Sequence, residues 1–230
     1  VIIPDFDQQL WIEGGGYWVA KNEIRIPSGG TQVDFKSLAG SGPRAFFRLN
    51  YIREVSDKRG FRVLYAPLSY SGTGQLATST NFNGTTFAAG VDTRASYKFN
   101  SYRVSYWSSP RGIDERWKLR LGLTLKVRDA SVGLSQAGAS SHYDDVGVVP
   151  LFYASGERSL GTRWSFMFDF DGFAVPMGRA LDLGLYLNYA VTPGTTLAFG
   201  LRALDGGADN DKVFNAATIT YLTVGVGCRF

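Results

Sequence analysis

The last ten residues, Tyr221-Leu-Thr-Val-Gly-Val-Gly-Cys-Arg-Phe230, decide the reading of the whole chain. From Leu222 every second residue is apolar: Leu222, Val224, Val226, Cys228 and Phe230. The residues between are small or polar: Thr223, Gly225, Gly227 and Arg229. A repeat of two describes an extended strand whose faces meet unlike surroundings. One face suits hydrocarbon, the other does not, and the strand stops on an aromatic.

The same pattern recurs upstream. In Trp117–Ala130, Trp117, Leu119, Leu121, Leu123, Leu125 and Val127 alternate with Lys118, Arg120, Gly122, Thr124, Lys126 and Arg128. A helix would not hold that alternation so long. Further strands are predicted at 10–19, 44–53, 61–70, 95–107, 146–154, 164–171, 180–189 and 197–204, with the last at about 216–230. That makes ten, after a lead-in at Pro4–Asp7. The parity of 95–107 slips at Asn100-Ser101 and predicts a β-bulge there. In 146–154 the reading turns Val149, Leu151 and Tyr153 outward, and Pro67 marks a bulge or a rim.

Connections alternate in length. Long ones are expected at 20–43, 71–94 and 131–144, and moderate ones at 172–179 and 206–215. Short turns fall at Ser56–Gly60, Ser108–Asp114, Gly156–Gly161 and Val191–Thr195. A lone cysteine, Cys228, makes no internal disulfide and reports no redox compartment. The formal charge of +4 is mild, and the basic residues alternate with apolar ones along strands. A nucleic-acid surface would cluster them on one face. No apolar run is long enough for a transmembrane helix, a test that a β-barrel escapes because half of each strand faces a polar lumen. Without a basic and apolar leader at Val1, any signal peptide is expected to have been removed.

With its even strand count, alternating connections and a closing strand ending on Phe230, the chain resembles bacterial outer-membrane β-barrels. The resemblance implies an all-β fold: a closed antiparallel up-and-down transmembrane barrel, residues 1–230 as one domain, both termini in the periplasm. It implies outer-membrane lipid as the surroundings. It also implies insertion by the barrel-assembly machinery of a Gram-negative bacterium, with Leu222, Val224, Val226 and Phe230 as the assembly signal. Trp107, Trp117, Tyr153, Trp164, Tyr189 and Phe230 are read as an interfacial belt at the turn-side ends.

By parity the lumen receives Arg48, Arg62, Lys98, Arg103, Lys118, Arg120, Lys126, Arg128, Arg202 and Arg229. Against them stand Glu13, Asp169, Asp171 and Asp182, helped by Asn50, Asn100, Tyr186 and Asn188. Eight strands make a bore that side chains just fill and sixteen an open channel, so ten sits near the filled end. Two readings stay open for this lumen: a plugging salt-bridge network, and a narrow pore whose cationic wall favours anions. On either, Arg120→Leu is expected to unsettle the barrel.

His142, in Ser140-Ser-His-Tyr-Asp-Asp145, is read as part of an outer loop, with hydrolysis as the sharp alternative to a solvated polar segment. The omptin proteases are similar in strand number and carry an acid pair and a His–Asp pair at the barrel mouth; Asp169 and Asp171 resemble the acid pair. The lipid A deacylases use a His–Ser pair on the outer wall, here in reversed order at Ser141-His142. Neither family's functional residues carry over. Asp205, Asp209 and Asp211 form a weak calcium candidate lacking the full loop pattern, and no cofactor is implied. The favoured reading is a structural or adaptor barrel with a possible protein partner at loops or rim, ahead of a porin and of a lipid- or peptide-modifying hydrolase.

Overall fold

A computed structural model describes residues 7–110 and 116–230. The lead-in at Pro4–Phe6 and most of the turn expected at 108–114 lie outside the described residues. In chain order the elements are β1 (Gln8–Arg25), β2 (Val33–Asp34), α1 (Phe35–Ala39), β3 (Arg44–Ser56), β4 (Arg59–Ala66), β5 (Ser69–Gln75), β6 (Thr80–Phe82) and β7 (Thr85–Phe87). They continue as β8 (Asp92–Ser108), β9 (Trp117–Gln136), β10 (Ala139–Ser159), β11 (Trp164–Val175), β12 (Gly178–Thr192), β13 (Thr195–Asp209) and β14 (Phe214–Arg229).

Successive strands pair antiparallel from β8 to β14, and β14 returns to β1 in register from Gln9↔Arg229 through Tyr17↔Tyr221. The sheet therefore closes. Its ten staves are β1, β3, β4 continued by β5, and β8 to β14. Gln8 and Phe230 seal the seam, each N–H donating to the other's carbonyl at 3.2 and 3.0 Å.

Each strand buries alternate residues because one face looks inward. On β9, Leu121, Leu123, Leu125 and Val127 are exposed, while Thr124 and Lys126 are buried between them. The outward set on β14 is Leu222, Val224, Val226 and Phe230, as the closing stretch predicts. With Phe61 and Val63 on β4, Leu183, Leu185 and Leu187 on β12 and Phe199 and Leu201 on β13, they form a continuous apolar belt. A band of that extent is stable against lipid and unfavourable in water.

Several expectations are corrected. β8 carries no bulge; its register with β9 is unbroken from Arg94↔Ser135 to Ser108↔Leu121. Tyr97 is buried and Phe99 half-buried on the inward parity, whereas Lys98 and Asn100 face out. The mixed signal arises because the inner wall at this height is apolar. For the same reason Val149, Leu151 and Tyr153 face inward, and the outward set on β10 is Val146, Val148, Pro150 and Phe152. Trp107 and Tyr153 leave the interfacial belt for the bore, where Arg120 and Arg62 lie over their rings. Pro67 interrupts a stave without shifting it: Ala66↔Ser101 and Ser69↔Lys98 keep one register. The Leu68 N–H donates to the Asn100 side chain at 3.3 Å across the break.

The long connections are not open loops. β9 and β10 run on as a hairpin to the turn before Ala139, so 131–144 is mainly strand and His142 sits on β10. The 20–43 segment completes β1 and supplies β2 and α1; the 71–94 segment supplies the β6–β7 hairpin. Phe35, Leu38, Phe82 and Phe87 pack with Val19, Ile24, Tyr97 and Leu134 into one apolar cluster. This cap occupies the mouth away from the termini.

Candidate functional site

Between the cap and the turn-side mouth, the bore is crossed by charge. Four arginines meet four carboxylates there: Arg48, Arg62, Arg103 and Arg202 with Glu13, Asp169, Asp171 and Asp182. The arginines come from β3, β4, β8 and β13, the acids from β1, β11 and β12, so the bonds tie opposite walls together. Inward parity places each group, and the small residues between them leave room for long chains to cross.

Arg62 donates to Asp169 at 3.0 Å and to Asp171 at 2.6 Å. Arg103 spans Asp171 and Asp182, both at 2.7 Å. Arg48 reaches Asp182 at 3.1 Å. Arg202 joins Asp182, and meets Asp169 at 3.2 Å. Tyr186 links acid to base, donating to Glu13 at 2.9 Å while accepting from Arg202 at 2.6 Å. Thr124 donates to Asp171 at 2.7 Å, and Ser105 accepts from Arg62 at 3.1 Å. Every one of the eight ionic groups is buried. Burying eight unpaired charges would be prohibitive; one-to-one compensation makes the arrangement possible.

The other predicted lumen residues divide by height. Arg120 pairs with Glu54 at 2.5 Å near the turn-side mouth, and Arg229 stands 3.9 Å from Glu157. Lys118 is exposed on the wall of the same turn-side cavity, about 590 Å³. Arg128 pairs with Asp145 toward the cap. Lys126 is buried beside the network but joins no ion pair or hydrogen bond with the described residues; its ammonium lies 4.7 Å from the centroid of Phe99. Lys98 is a correction: it lies outside, 2.8 Å from Asp129, which also accepts from Asn100 at 3.2 Å. Asn50 and Asn188 face the bore.

No known family profile matches the chain, and no curated protein does. Solved structures do. The outer membrane protease OmpT from Escherichia coli superposes with a TM-score of 0.56 at 13% identity, over 99% of this chain and 97% of that one. Ail, the attachment invasion locus protein of Yersinia pestis, in complex with the heparin analogue sucrose octasulfate, matches at a TM-score of 0.43 and 14% identity, over 97% and 99% of the two chains. The Pseudomonas putida toluene transporter TodX matches at 0.40 and 11%, over 99% and 90%.

The chain has the fold of a bacterial outer-membrane β-barrel. Its belt meets lipid, and its ionic groups meet one another inside.

The candidate catalytic groups of this barrel do not converge. Asp169 sits opposite Ser155 in the β10–β11 register. His142 is on the same strand, roughly 40 Å farther along at about 3.3 Å per residue. It is exposed, 3.6 Å from Asp144. Asp169 and Asp171 are held by arginines rather than presented at a mouth.

The calcium candidate is likewise dispersed among partners. Asp205 faces outward and accepts from Arg179 and, at 2.8 Å, from Thr218. Asp209 accepts from Ser28 at 3.5 Å. Among the described residues no group of three or more His, Cys, Asp or Glu is placed to hold a metal ion. Sequence reasoning missed the cap, and it missed Tyr186 as the bridge between Glu13 and Arg202. The tyrosine's inward parity was visible, but its partners across the bore were not.

Proposed function

We propose that the protein is a structural or adaptor barrel without turnover, closed to ions along its axis. The four-by-four ionic network spanning the bore from β4 to β11 carries this reading. Eight buried groups, paired with one another, fill the bore between the cap and the turn-side cavity. The apolar cap closes a second level above them. In this orientation the termini and short turns lie in the periplasm and the β9–β10 hairpin reaches outside. The closing strand, with Leu222, Val224, Val226 and Phe230 on its lipid face, suits recognition by the barrel-assembly machinery. The extended hairpin and cap offer the surface for a protein partner.

A narrow anion-preferring pore is the second reading. Lys118, Arg120 and Arg229 line the turn-side cavity, but Glu54, Asp57 and Glu157 line it with them, so the wall as a whole is not cationic and this reading ranks second. Single-channel recording in planar bilayers separates the two. The adaptor reading expects a flat baseline under applied voltage; discrete steps with an anion-selective reversal potential favour the pore and reject the closed bore.

A further inference from the structure

The barrel wall parts in two places. On one side β3 above Leu49 loses β4, and β5 stands apart from it. The short helix α1 fills that gap: a Cβ at Gly72 would lie 2.5 Å from the Ala39 carbonyl oxygen, so helix and stave touch backbone to backbone. On the other side β10 and β11 separate above Phe152↔Gly172. β10 continues from Leu151 back to Ala139 paired only with β9, while β11 turns over into β12 beyond Val175. No described strand pairs with the free edge of β10 along this stretch.

This second opening lies at the height of the lipid. Val148 stands opposite Val127, and Pro150 opposite Leu125, both belt residues of β9. Val148 is 62% exposed on the outer face. The neighbouring hairpin tip, Val175-Pro176-Met177, is apolar, and Met177 is 71% exposed. A turn in water favours Gly, Asn, Asp and Ser; this tip is built for hydrocarbon.

Behind the opening is a cavity of about 350 Å³, within the range of small-molecule sites. Val149, Leu151 and Phe173 form its apolar side; Arg103 and Lys126, with Asp171 and Asp182, form its floor. Arg103 is already shared between Asp171 and Asp182. Lys126 is 3% exposed, and four arginines against four carboxylates leave it as an additional cation. Its ammonium lies over the face of Phe99 and makes no direct ion pair with the described residues, and the nearby Asp171 and Asp182 are already engaged by arginines.

We propose that this cavity binds a long-chain carboxylate entering sideways from the bilayer between β10 and β11. The carboxylate meets Lys126, and the chain runs along Val149, Leu151 and Phe173 toward the gap. A hydrocarbon alone leaves the ammonium uncompensated; a small anion alone leaves the apolar wall empty. The route is lateral and is compatible with an axis closed by the network.

The test uses the whole protein in phosphatidylcholine nanodiscs with a hexadecanoate carrying a diazirine in its chain. Photolabelling followed by peptide mapping is expected to place adducts on cavity residues of β10, β11 and β12. Hexadecanoate should compete; hexadecyltrimethylammonium and acetate should not. Lys126→Met should weaken labelling about tenfold or more, the loss of one good charge contact. Val149→Trp, which fills the cavity and keeps the lysine, should do the same. Adducts confined to belt positions such as Leu123, or equal competition by the cationic amphiphile or by acetate, would overturn the assignment. The wild-type map and competition decide the matter even where a variant fails to insert.

Discussion

Arg62 on β4 holds Asp171 on β11 through two hydrogen bonds, from Nη2 to Oδ1 at 2.7 Å and to Oδ2 at 2.6 Å. The two residues face each other across the bore and are 109 positions apart in the chain. Closing the barrel brings them together, and their bond then fixes the distance between opposite walls. Removing one member of such a pair strands the other in a medium that cannot solvate it.

Arg62→Leu is therefore expected to destabilise the barrel by about 3–5 kcal/mol. Arg120→Leu, expected from sequence alone to unsettle the fold, should cost below about 1 kcal/mol, since its pair with Glu54 lies at a wet mouth. Guanidinium unfolding in liposomes, followed by tryptophan fluorescence, measures both. Equal losses would mean that the depth of the pair has no bearing on its worth.

Trp11 and Gly227 make a second test. A Cβ at Gly227 would lie 2.1 Å from the Trp11 ring, so the glycine is the space the indole occupies. Gly227→Val should destabilise by about 1–3 kcal/mol through overpacking. Trp11→Ala should restore part of that loss in the double variant, a coupling that a thermodynamic cycle reads directly. Additive losses would separate the two residues.

On the outer face, Leu123 is 64% exposed and in the middle of the β9 run. Leu123→Arg should cost about 2–4 kcal/mol in a bilayer, whereas Leu123→Ile should be nearly neutral. Heat-modifiability on gels gives a first reading and liposome unfolding the magnitude. A harmless arginine there would remove Leu123 from the belt.

The cap should loosen without the barrel. Phe82 is fully buried between Phe35 and Phe87, at ring separations of 6.3 and 6.5 Å. Phe82→Ala should cost about 3–5 kcal/mol locally. Trypsin should then cut faster at Lys36 or Arg94, with the heat-modifiable barrel retained. Loss of the folded barrel itself would show that cap and staves form one cooperative unit.

Much of this was legible in the chain because a period of two leaves little freedom. On β9 and β14 one parity is apolar and the other polar, so side and surroundings follow together. The signal failed where both faces are apolar. Val149, Leu151 and Tyr153 look like lipid-facing residues, and they face a cavity and the network instead. Tyr97 and Phe99 imitate a bulge for the same reason: they belong to the inner apolar cluster of the cap. Lys98 was assigned by parity to the lumen, on the phase opposite Tyr97 and Phe99, although polar groups also ring the outer wall above the belt. Parity also assembled the members of the ionic network without stating their pairing. Whether Arg103 meets Asp171 or Asp182 depends on shear and strand tilt, which no local pattern records.

Neighbouring positions on β8 put the account to its most direct test. In a Cys228→Ser background, Val104→Cys and Ser105→Cys differ by one residue and, here, by side of the wall. Each is exposed in turn to brominated phospholipid, after bimane labelling of the unfolded chain and refolding, and to a charged methanethiosulfonate from water. The account predicts bimane quenching at 104 and none at 105, with the cysteine at 105 unreactive from both aqueous sides. Quenching at 105, or rapid reaction of its thiol with the charged reagent, would contradict it.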